Sequence, residues 1–107
     1  MQMTVGQKQR FFAKHAARLI LKAYELGYEV SLGHAFRCID CHIGRKYSLH
    51  KQKLAIDLNL FKDGEYLAST EDHRELGEWW EDQHPDFSWG GRFSDGNHYS
   101  MKHGGRR

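Results

Sequence analysis

Between residues 54 and 61 the chain reads LAIDLNLF, and this alternation constrains the fold more than any other stretch. Successive side chains of a strand point to opposite faces with a period of two. Leu54, Ile56, Leu58 and Leu60 therefore line one face, and Ala55, Asp57 and Asn59 the other. A strand with one apolar face must bury it against a second layer, and its edges need partner strands. Residues 4–26 provide a layer: Phe12, Ala16, Leu19, Ala23 and Leu26 recur at steps of three and four, the spacing of a helix with one apolar face. Thr4 with Gln7 forms a capping box at its start, and Gly27 is a natural stop. Tyr28, Val30 and Leu32 alternate as a short strand. After the central strand, Lys62-Asp63-Gly64-Glu65 is a turn signal, and Tyr66-Leu67 starts a return strand.

A second helix is expected over residues 71–83, capped by Ser69 or Thr70 and closed by Pro85, with Leu76, Trp79 and Trp80 in the core. Residues 33–48 show no periodicity and read as loop. The glycine-rich segment FSWGGRFSDGNHYS reads as loop with a short strand. This order of elements predicts an α+β fold, a small antiparallel sheet packed with helices. A length of 107 residues suits one domain, residues 1–107, and is too short for two cores.

Composition narrows the partners. The net charge of +2 is too small to argue for nucleic acid, and the basic residues do not form a stripe with interleaved aromatics. No nucleic-acid partner is expected; the mild excess favours approach to anionic surfaces, cell-wall polymers among them. No apolar run approaches the ~20 residues of a membrane span, so stable membrane insertion is not expected. The opening MQMTVGQKQR has no apolar core of a signal peptide, which predicts a cytoplasmic location in which Cys38 and Cys41 stay reduced.

The chemistry starts at Asp57, which alternation places away from the core on the polar face of its strand. His50 stands just ahead of that strand, and DGNH at residues 95–98 adds His98 with Asp95 three positions before it. Two histidines and a carboxylate make a three-ligand set for catalytic zinc, with the fourth position open to water. Asp95 would then stand beside the ligands as a base. Ligand atoms on one zinc lie within about 3–4 Å of each other, whereas an extended chain from position 50 to 57 spans roughly 23 Å at about 3.3 Å per residue. The chain through Lys51, Gln52 and Lys53 must therefore turn back.

Other constellations compete. CIDCH, residues 38–42, has the form of a c-type haem attachment site, and with His34 its cysteines could hold a structural zinc. Without a second cysteine pair or an export signal, two ordinary loop thiols are the preferred reading. A zinc-stabilised binding module, or a His-Asn nuclease using His50 and Asn59, are the alternatives from other functional classes.

SLHKQKLAIDL resembles the Ser-x-His-x(6)-Asp signature of the zinc peptidases that cut peptidoglycan stem peptides. These include D-alanyl-D-alanine carboxypeptidases and dipeptidases, and the L-alanyl-D-glutamate endopeptidases used as phage endolysins. WGGRFSDGNH is similar to the family's second block, a Trp-Gly-Gly turn followed by an acid three residues ahead of the last zinc-binding histidine. The order of the blocks and the gap between them also match, and the resemblance covers residues 28–99. It implies a hedgehog/DD-peptidase-like fold with zinc on the sheet's polar face, His50, Asp57 and His98 as its ligands, and Asp95 as general base. It also implies that Arg37 stands near the substrate carbonyl, that Ser48 is the motif serine, and that Trp89, Gly90 and Gly91 shape the loop. Lys53 departs from the pattern, since the family often has glycine there. An aspartate at position 95 is similar to the endopeptidase branch, the carboxypeptidases usually carrying glutamate. The implied protein is a monomeric endolysin acting on bacterial peptidoglycan, which waits in the host cytoplasm until the membrane is opened. A D-Ala-D-Ala carboxypeptidase or dipeptidase is the alternative within the family.

Overall fold

In the computed structural model, which describes residues 3–33 and 53–103, the first element is helix α1, Val5–Glu25. Its capping box is closed in both directions: Gln7 N donates to Thr4 Oγ1 at 3.1 Å and Thr4 N donates to Gln7 Oε1 at 2.8 Å. Donors that the start of the helix leaves without an intrahelical partner are satisfied in this way. Past the other end, Gly27 takes a φ of 94°, a left-handed conformation open to a residue without Cβ. Phe12, Ala16, Leu19 and Ala23 form the buried face, as their spacing predicts.

The sheet has five strands: β1 (Glu29–Gly33), β2 (Ala55–Lys62), β3 (Glu65–Tyr66), β4 (Phe87–Trp89) and β5 (His98–Met101). Every pairing is antiparallel, the order is β1-β2-β5-β4, and β3 pairs with the end of β2. The β2–β3 hairpin turns through Asp63 (φ 52°) and Gly64 (φ 81°). Two positive φ values in a two-residue loop match the right-handed twist of the flanking strands, which is why Asp-Gly signals a hairpin.

Two elements differ from the sequence expectation. The second helix begins as a 3-10 turn, Thr70–His73, before α2, Arg74–Asp82. Ser69 is the cap, but its box closes on Asp72, with Asp72 N donating to Ser69 Oγ at 3.2 Å, and this tightens the first turn. The glycine-rich segment holds two strands rather than one, β4 and β5, joined by a 3-10 turn at Gly90–Phe93. Each strand is only three or four residues long, so its alternation is hidden among glycines; each is held by its neighbour, Trp89 opposite Tyr99 and Phe87 opposite Met101.

The core lies between α1, α2 and the apolar face of the sheet. Leu54, Leu58, Leu60, Leu76, Trp80, Trp89, Tyr99 and Met101 are fully buried. Trp80 stacks on Phe87 with ring centres 4.0 Å apart and planes 4° from parallel, and meets Phe12 and Tyr99 edge-on. Its Nε1 donates to the carbonyls of Ser88 and Ser100, so the indole is buried with its polar atom satisfied. No helix among the described residues is long and apolar enough to cross a membrane.

One titratable group is built into this core. His73 is buried, with Nε2 3.3 Å from the Leu67 carbonyl and Nδ1 3.4 Å from the Tyr99 hydroxyl. A carbonyl only accepts, so Nε2 carries the proton and Nδ1 accepts from Tyr99. Burial lowers the His73 pKa below its ordinary 6.5 and raises that of Tyr99, which keeps both groups neutral. The unfolded chain therefore binds a proton that the folded chain refuses, and stability falls as the pH drops through 6.5 towards the lowered folded value. Urea midpoints at about pH 7.5 and about pH 5.5, on either side of the ordinary histidine value, measure this loss. His73→Gln, which keeps a donor for Leu67 but does not titrate, is expected to reduce the acid loss.

Candidate metal centre

The register of β2 with β1 and β5 lays out the second face of the sheet in rows. Asp57 is opposite Gly33 on one side and His98 on the other, while Ala55 is opposite Ser100, which is opposite Ser88. Alternation puts this face away from Leu58 and Tyr99. It is polar, as expected for Asp57, but it is not open to solvent: Asp57 is 7% exposed, His98 8%, Ser88 1% and Ser100 fully buried. Among the described residues, the hydroxyls of Ser88 and Ser100 have no hydrogen-bond partner. Small residues thus flank the carboxylate and the imidazole.

Asp57 Oδ1 and His98 Nδ1 are 3.5 Å apart. That is long for a hydrogen bond. It matches the edge of a tetrahedron around zinc, about 3.3–3.6 Å for ligand bonds of about 2.0–2.2 Å. By donor chemistry and by spacing the pair fits two positions of such a site. No group of three His, Cys, Asp or Glu stands together among the described residues, and the third expected ligand, His50, lies outside them. Arg37, Ser48, His34, Cys38 and Cys41 also lie outside the described residues.

The segment before β5 determines where Asp95 and His98 stand. Asp95 N donates to the Gly90 carbonyl at 2.8 Å and His98 N donates to the Asp95 carbonyl at 3.1 Å. A Cβ on Gly90 would collide with the Asp95 carbonyl and with His98 Cβ, so this closeness depends on glycine at that place. Trp89 Nε1 donates to the Gly96 carbonyl at 2.7 Å, pinning the middle of the loop to the core. Trp89, Gly90 and Gly91, where a Cβ would meet the Trp89 ring, therefore shape the loop. Asp95 is exposed and lines a cavity of about 180 Å³ with Tyr66, Thr70 and Asn97. Nothing in the sequence marks that cavity, because its wall comes from two separate segments, residues 66–73 and 94–97.

Asn59, the residue of the nuclease alternative, is engaged in the sheet's own polar network. Its Oδ1 accepts from Asn97 Nδ2 at 3.3 Å and its Nδ2 donates to Ser31 Oγ at 3.4 Å. It ties β1 and the Asp95 loop to β2.

Lys53, where the resembling family often has glycine, takes a φ of 62°. The chain therefore adopts just before β2 the left-handed conformation that glycine takes most easily. A non-glycine residue there costs roughly 1–2 kcal/mol, and glycine returns about 0.4–1 kcal/mol of that through a more mobile unfolded chain. Lys53→Gly is expected to raise the unfolding free energy by about 0.5–1 kcal/mol, and β-branched Lys53→Val to lower it. Denaturant titration of the variants measures both signs.

No family model and no curated protein matches this chain.

Proposed function

We propose that this chain is a zinc-dependent peptidase of bacterial peptidoglycan, cutting the L-alanyl–D-glutamate bond of the stem peptide as a phage endolysin. The observation that carries the reading is the pair Asp57 and His98. They come from the two sequence blocks that resemble the peptidases, they are direct cross-strand partners, and their ligating atoms are 3.5 Å apart on a buried polar face. The left-handed backbone at Lys53, in the position of the family's glycine, supports the same reading. So does the α+β architecture with an antiparallel sheet, the class to which a hedgehog/DD-peptidase-like fold belongs.

In this reading Asp57, His98 and His50 would hold the zinc ion. Bound there, the metal would supply Lewis acidity to the scissile carbonyl and to a water molecule. The protein's own groups do the rest. The Asp95 carboxylate takes a proton from the attacking water and delivers it to the leaving amine nitrogen. Arg37 donates hydrogen bonds to the carbonyl oxygen as negative charge gathers on it. The burial of Asp57 and His98 lowers the dielectric around the pair, which would strengthen its attraction for a cation. The substrate is wall peptidoglycan, reached by a monomer from the host cytoplasm once the membrane is open.

Zinc content is the first check. The purified protein is expected to bind one zinc, Asp57→Ala or His98→Ala to lose it, and chelation to abolish activity that added zinc restores. Elemental analysis beside a turnover assay reads both, and stoichiometric zinc in the double variant sinks the ligand assignment.

Asp95→Asn keeps the side-chain shape but removes the base. It is expected to keep its zinc and its fold while losing at least ~100-fold in rate. The assay is digestion of purified sacculi, scored by mass spectrometry for new D-glutamate amino ends. Release of D-alanine without those ends would assign the chain to the D-Ala-D-Ala branch instead.

A further inference from the structure

The cavity beside Asp95 differs from the Asp57–His98 pair in chemistry and in access. Its wall carries the hydroxyls of Tyr66, Ser69, Thr70 and Ser94, the amide of Asn97 and the Asp95 carboxylate. Among the described residues no lysine or arginine lines it, and burial disfavours the charged form of His73, which also borders it, so this lining brings no fixed positive charge to a carboxylate or a phosphate. At about 180 Å³ it has room for some six water molecules of about 30 Å³ each, the scale of one ring rather than an extended peptide. Ala68 and Gly96 keep its surface low, while the Tyr66 side chain, 56% exposed, stands at the cavity with its ring against Phe61. Several short hydroxyl and amide groups on one small wall suit a neutral polyhydroxylated ring, whose hydroxyls find donors and acceptors there.

We infer that this cavity is a subsite for a sugar of the glycan strand, placed next to the group that handles the proton. The inference rests on the peptidoglycan reading above and deepens it. In the wall, L-alanine joins the stem peptide to a glycan sugar through an amide, so no carboxylate remains at that junction. A sugar held beside Asp95 is then one amino acid from an L-alanyl–D-glutamate bond. The site would read stem peptides still attached to glycan and neglect free ones.

Two measurements separate the subsite from the peptidase reading. The first is calorimetric titration of the whole protein with the neutral disaccharide of N-acetylglucosamine and the amide of N-acetylmuramic acid. The wild type is expected to bind it, Tyr66→Ala to weaken binding about tenfold, the scale of one lost hydrogen bond, and Ala68→Trp, which fills the cavity, to abolish it. Absence of binding, or binding unchanged in both variants, overturns the inference, as does preference for butylammonium over the disaccharide. The second compares hydrolysis of glycan-linked and glycan-free stem peptides. Tyr66→Ala is expected to raise KM for the linked substrate about tenfold, leaving kcat and the free-peptide KM unchanged. An equal rise on both substrates overturns the sugar assignment and leaves the peptidase standing. A wild type that cuts neither substrate removes the peptidase reading, and the titration still decides the cavity.

Discussion

Trp89 is the side chain on which the arrangement of the site depends. It is fully buried, and its indole lies so close to Gly77 of α2 and to Gly91 that a Cβ on either glycine would overlap the ring. Its Nε1 holds the Gly96 carbonyl, its backbone N donates to Glu81 Oε2 at 3.2 Å, and Arg74 and Arg92 stand 5.6 and 5.4 Å from its ring. One indole thus couples α2, β4 and the loop that ends at His98. A cavity there would release the loop as well as weaken the core, because close packing transmits such a change rather than absorbing it.

The second physical constraint is the cost of Asp57. A carboxylate taken out of water is expensive, and an imidazole beside it offsets that cost only in part. An apolar pair at the same cross-strand positions would hold β2 to β5 equally well, since the backbone ladder does not use these side chains. The β2–β5 pairing itself is carried by the backbone ladder, with Asp57 and His98 as cross-strand partners on its polar face.

Much of the fold was legible in the sequence where one local signal decides the structure. The Thr4–Gln7 box, the Gly27 stop and the Asp63-Gly64 hairpin each depend on a few adjacent residues, and each forms as expected. The period of two in LAIDLNLF was long enough to separate Leu58 from Asp57 and place them on opposite faces. Legibility ended where the partner, not the segment, decides. Phe87–Trp89 and His98–Met101 are strands because they lie against each other and against β2, and no window of three or four residues carries that information. The burial of the polar face was likewise invisible, because alternation tells which residues share a face but not what covers it. For the candidate site, Asp57, Asp95 and His98 were named from the chain alone. The cavity that Asp95 lines, drawn from residues 66–73 and 94–97, was not.

The loop between Gly90 and His98 carries a double duty that explains its composition. One end presents His98 to the buried face, and the middle presents Ser94, Asp95 and Asn97 to the open cavity. Two sites so close along one chain require sharp reversals within a few residues. Ser94 supplies one by taking a left-handed φ of 63°, and Gly90 permits another by leaving room for the Asp95 carbonyl and His98 Cβ. Gly96 rests on the Thr70 backbone with no space for a Cβ, which brings the loop against the Ser69-capped turn and forms the cavity's wall. The glycines that obscured the strands in the sequence are the residues that let one short loop serve a buried pair and an exposed cavity together.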